Sequence, residues 1–99
     1  MRSNTPDQCK NMHDIRSEID HIDQSIIRLL SERSGYVHAA AKFKQNTQAV
    51  KANDRVKAML AQRREWAEGE GLSPDIVEKV YKTLVEAFIQ EEMETWKKR

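Results

Sequence analysis

Apolar residues recur at steps of three and four from Met12 to about Lys44: Ile15, Ile19, Ile22, Ile26, Leu29 with Leu30, Val37, Ala40 and Phe43. That period predicts one long helix with a single buried stripe. Asn11 is placed to cap it, and Asp14 and Glu18 lie near the positive end of its dipole. Ser34-Gly35 is the weak point, because a glycine inside a helix costs roughly 1 kcal/mol relative to alanine. The apolar phase crosses the pair without a slip, so the reading is one helix and not a hairpin. Residues 45–53 (QNTQAVKAN) show no period and read as a loop. Asn53 can cap a second helix with Asp54 in its first turn, carrying Val56, Met59, Leu60 and Trp66, with Gly69-Glu70-Gly71 ending it. Ser73-Pro74-Asp75 restarts the chain as a capping serine, a proline at the first helical position and an acid at the second. The third helix is expected to run to about Trp96, turning Val77, Val80, Tyr81, Leu84, Val85, Phe88, Ile89 and Met93 inward.

The length of the first helix bears on assembly. From Met12 to Lys44 it would span about 50 Å at 1.5 Å per residue. A globule of this chain's size has a radius of gyration near 13 Å. The apolar stripe runs the full length, so a second chain is expected to cover part of it. The expectation is an all-α fold of three helices, one domain per chain, in an intertwined helical-bundle homodimer.

Composition narrows the function classes. The 99 residues carry 17 Lys+Arg against 16 Asp+Glu, a net charge of +1, which argues against nucleic acid as a bulk electrostatic partner. No apolar run approaches the ~20 residues of a membrane span. Residues 1–10 are polar, read as a frayed segment and lack the apolar core of a signal peptide. One cysteine, Cys9, cannot form an internal disulfide, which fits a reducing, cytoplasmic setting. No phosphate loop and no metal-ligand spacing is visible, and His13, His21 and His38 have no obvious partners. His38 reads as a boundary residue, and Asp20, Asp23 and Glu91 as solvated helix faces.

Charge in the wrong place is the informative signal. At 100° per residue, the first stripe passes through Ile22, Ile26, Leu29, Arg33, Val37, Ala40 and Lys44. Arg33 and Lys44 then point the same way to within about 20°. On the third helix Glu92 follows Val85, Phe88 and Ile89 on one face. Charges aimed at an apolar core need partners. One account is an internal salt bridge of Glu92 with Arg33 or Lys44. The other is a cation-lined pocket for a small dianion, with Glu92 as a polar contact. Arg16 lies some 100° around the helix from Arg33, so it could reach the pocket of a second subunit.

Several segments together resemble the all-helical chorismate mutase family: Asp14-Ile15-Arg16-x-x-Ile19-Asp20-x-x-Asp23, Leu30-x-x-Arg33, Phe43-Lys44 and Asp54-Arg55-Val56. Further features resemble its isochorismate pyruvate-lyase branch, the salicylate-forming enzymes of bacterial siderophore pathways. These are Cys9 ahead of Met12-x-Asp14-Ile15-Arg16, Tyr36-Val37, Ala40-Ala41-x-Phe43-Lys44, Arg64-x-Trp66-Ala67-Glu68, Gly71-Leu72 and Trp96. The resemblance implies a dimer with two sites, each completed by the partner's first helix, running cofactor-free pericyclic reactions on a dicarboxylate. It makes Arg16, from the partner chain, and Arg33 the carboxylate-binding arginines, and Lys44 the lysine at the breaking ether oxygen. It adds Arg55 at the site and Val37, Met59 and Ile89 as the apolar wall. Ala52 and Val56 stand where typical mutases carry acids, as in the lyase branch. Glu92 stands where the family has glutamine, and a carboxyl donates to an ether oxygen only when protonated. The expected activity is isochorismate pyruvate-lyase, with chorismate mutase as the alternative. The alternative of another class is a non-catalytic helical dimerisation module.

Overall fold

The computed structural model describes residues 4–43 and 53–97, and all regular structure among them is helical. Helix α1 spans Met12–Ala40, α2 spans Asn53–Gly69 and α3 spans Pro74–Lys97. The chain divides into two compact units, Met1–Tyr36 and Val37–Arg99, with the boundary inside α1.

In the first unit, the start of α1 is fixed by side chains standing in for missing helical partners. Asn11 Oδ1 accepts from the Asp14 amide at 2.9 Å, and Asp14 Oδ2 accepts from the Lys10 amide at 3.0 Å. The segment read as frayed carries, over residues 4–10, a 3-10 turn at Pro6–Gln8. Gln8 Oε1 accepts from the Thr5 amide at 3.0 Å, and Glu18 Oε1 accepts from the Asn4 amide at 3.2 Å. Glu18 is the buried residue of α1. Cys9 donates to the Thr5 carbonyl at 3.6 Å. Its thiol is pushed up from the ordinary range by desolvation and then by the Asp14 and Glu18 carboxylates. α1 runs unbroken through Ser34-Gly35, as the continuous apolar phase requires, and a Cβ at Gly35 would meet nothing within 4 Å.

The end of α1 departs from the expectation. The α-helix stops at Ala40 and a 3-10 turn, Ala41–Phe43, follows. Such a turn tightens a helix end and advances 120° per residue, so the 100° count that aligned Lys44 with Arg33 ceases to apply past Ala40. Phe43 is not on a buried stripe; it is 84% exposed. Lys44 and residues 45–52 of the expected loop lie outside the described residues, and Asn53 already belongs to the next helix.

In the second unit, α2 and α3 form an antiparallel pair. The turn between them follows from two signals read in the sequence. Gly71 adopts φ 72°, its amide donates to the Glu68 carbonyl at 3.1 Å and the Leu72 amide donates to the Ala67 carbonyl at 2.9 Å. This is a Schellman ending, and glycine meets its left-handed residue without a Cβ penalty. Ser73 then caps α3, its Oγ accepting from the Ile76 amide at 3.3 Å. Met59, Ala67 and Val85 are the buried apolar residues of the pair. Val80, read as inward from its spacing, is more than half exposed, as is Trp66.

Candidate functional site

The structure distributes the expected site residues between the two units. Arg16 and Arg33 belong to the first, on α1; Arg16 is exposed and Arg33 half-buried. Val37, Arg55, Met59, Ile89 and Glu92 belong to the second, and Lys44 lies outside the described residues.

Within the second unit, the register of the helix pair places these residues. Arg64 on α2 donates to Asp75 on α3 at 2.9 Å and approaches Glu78 at 3.5 Å. Counting away from that pair along antiparallel helices, Met59 falls level with residues 80–83 and Arg55 with residues 84–87. Met59 is buried, Ile89 is half-buried and Arg55 is exposed. Glu92 is 3% exposed, the lowest value among the described residues of α3, in line with its place on the Val85–Phe88–Ile89 face. A carboxyl group at that depth needs polar company, which is how a binding site or a structural ion pair begins.

Among the described residues of this unit are contacts that spacing along one helix did not report. His38, in the last turn of α1, bonds through Nε2 to Glu91 Oε1 at 2.5 Å, so α1 and α3 are tied across 53 residues. Both side chains are about half exposed. The Arg63 guanidinium lies over Trp66 at 4.6 Å and over Tyr81 at 5.5 Å from the ring centroids, joining α2 to α3 by cation–π contact. Arg64 makes the Asp75 and Glu78 pairs, which hold its guanidinium firmly protonated, the Asp75 hydrogen bond first among the causes. Residue type offered a signal only for Arg64, which stands among acids in the first turn of the next helix. Partner choice across helices depends on their relative rotation, which spacing within one helix does not report.

Comparison with known proteins decides the family. The model for chorismate mutase type II matches residues 15–93. The chain belongs to the chorismate mutase type II family. Among its relatives, isochorismate pyruvate lyase of Pseudomonas aeruginosa is 40% identical over 93 residues, covering 94% of this chain and 92% of that protein. T-protein of Haemophilus influenzae is 40% identical over 70 residues, which is 70% of this chain and 19% of that protein. The matched family segment spans every expected site residue from Arg16 to Glu92.

Proposed function

We propose that this protein is an isochorismate pyruvate-lyase, working as a homodimer with two equivalent sites. The observation that carries the reading is 40% identity to an enzyme of that name across nearly the full length of both chains. Similarity to an enzyme from end to end disfavours the non-catalytic dimerisation reading.

In the proposed reaction the ether C–O bond of isochorismate breaks while one ring hydrogen passes to the methylene carbon of the enolpyruvyl arm. The ring becomes aromatic salicylate and the arm leaves as pyruvate, so atoms balance without a redox partner. Arg33 and the partner subunit's Arg16 would grip the two carboxylates, the bidentate geometry for which guanidinium is suited. Lys44 would meet the ether oxygen as negative charge develops there, an interaction stronger in the transition state than in the ground state. Arg55 would add a further cation. Val37, Met59 and Ile89 would wall the ring, and holding the flexible arm over it supplies an orientation advantage. Glu92 would face the ether oxygen and donate only when protonated.

Two features support the dimer. The α1 stripe of Ile15, Ile19, Ile22, Ile26 and Leu29 is 38–56% exposed in the chain by itself. An apolar strip of that length in water marks a surface meant to be covered. Arg16 sits on the same helix, exposed, where a partner's site could receive it. Chorismate mutase, giving prephenate, is the second reading, favoured by the activity for which the family is described.

The test is to offer isochorismate and chorismate separately to the purified protein. Salicylate fluorescence should rise with isochorismate, and prephenate should form more slowly, if at all, with chorismate. Faster prephenate formation would put the mutase first, and no turnover of either would overturn both enzymatic readings.

A further inference from the structure

We infer that His38 and Glu91 are a positioning pair for the reaction, holding α1 and α3 at the rotation that keeps Val37 and Glu92 turned inward. The inference rests on the proposed reading in which those two residues line the substrate site.

The observation is one of neighbours. Glu91 is half exposed and bonded to His38, whereas Glu92, the next residue, is 3% exposed. Adjacent positions on a helix differ by 100°, so fixing Glu91 toward His38 fixes the direction of Glu92. The same holds on the other side of the bond, where Val37 is half-buried and precedes the exposed His38. The bond joins residues 53 apart in sequence and lies one turn from the 3-10 ending of α1, where the helix is least held by its own hydrogen bonds. A pair this exposed adds little to global stability. Its effect is on register: a small rotation of either helix would swing the Glu92 carboxyl off the reacting oxygen, and misplacement of about 1 Å costs up to about a hundredfold in rate.

Neither residue touches the reacting atoms in this account, so the test separates positioning from folding. His38→Ala and Glu91→Ala should each lower kcat for isochorismate about tenfold while KM stays within twofold and Tm falls only slightly. His38→Lys, which restores a donor to Glu91, should recover kcat to within about threefold of the wild type. Unchanged kcat in both alanine variants, a loss confined to KM, or a lysine variant no better than alanine would overturn the inference. Amide hydrogen exchange supplies a readout that does not need turnover. Residues 39–43 should exchange at least about fivefold faster in both alanine variants, with residues 15–30 unaffected, and unchanged exchange at 39–43 would overturn the pair's role. Absence of wild-type turnover would instead count against the lyase reading, leaving exchange to decide whether the pair holds the helix end.

Discussion

α1 and the α2–α3 pair carry apolar stripes of similar period but meet different ends. The pair buries Met59, Ala67 and Val85 and adds its own fastenings: Arg64 to Asp75 and Glu78, and Arg63 over Trp66 and Tyr81. Along α1 from Met12 to Tyr36 the buried residue is a glutamate, Glu18, while the isoleucines of the stripe stay more than a third exposed. An antiparallel hairpin can satisfy itself because each helix offers the other an apolar face. A single helix of 29 residues, about 44 Å long, cannot do so. The contrast teaches where the proposed second copy is needed: for the first helix and not for the hairpin.

The largest effect should come from a charge in the α1 stripe. Ile22→Asp would lie harmlessly on an exposed helix of a monomer, within about 0.5 kcal/mol. In a symmetric dimer it removes two buried isoleucines, roughly 1.5–3 kcal/mol each, and buries two charges. Sedimentation should show the wild type as a dimer and the variant as a monomer, with helix content lost along α1 and kept in the hairpin. A folded wild-type monomer at micromolar concentration would remove the contrast altogether.

Activity should divide along the same line. Arg16→Ala and Arg33→Ala should each reduce kcat/KM by at least about a hundredfold, since charge-assisted carboxylate contacts are worth several kcal/mol when buried. Mixing the two variants and allowing subunit exchange should restore one competent site per heterodimer. Verified exchange with no recovered activity would show that the arginines do not meet in one site from different chains.

Glu92, in the second unit, should respond to a change of donor. A glutamine amide can donate to the ether oxygen that the proposed reading sets opposite this side chain. Glu92→Gln should raise kcat several-fold at neutral pH in the salicylate assay. No gain from glutamine would assign Glu92 to a structural ion pair instead.

The smallest effects concern two glycines. Gly71→Ala should lower Tm by several degrees, because a left-handed residue with a Cβ costs about 1 kcal/mol or more. Gly35→Ala should raise Tm by a similar amount, since alanine gains up to about 1 kcal/mol in a helix interior and finds open space there. The same substitution with opposite signs in differential scanning calorimetry would confirm that one glycine serves the fold and the other does not.

Much of this could be read before any coordinates. The three helices follow from spacing of apolar residues, and the turn at Gly71 to Pro74 from residues whose backbone preferences are local. The unusual placing of Arg33 and Glu92 on apolar stripes was legible for the same reason, since periodicity exposes any polar residue that breaks it. Periodicity also misled. It extended α1 to Lys44 because it cannot see a tightened last turn, and it turned Phe43 and Val80 inward because it knows a face but not what lies opposite.

What the sequence determined by itself is therefore what depends on neighbours within a few residues: helix number, helix ends at the capped turn, and the faces of each helix. What only the tertiary structure decided are the pairings across elements. His38 found Glu91, Arg63 found Tyr81, and Asn4 reached Glu18. Each depends on the rotation and level of one segment against another. Those are set by the summed packing of many side chains, and no local pattern encodes that sum.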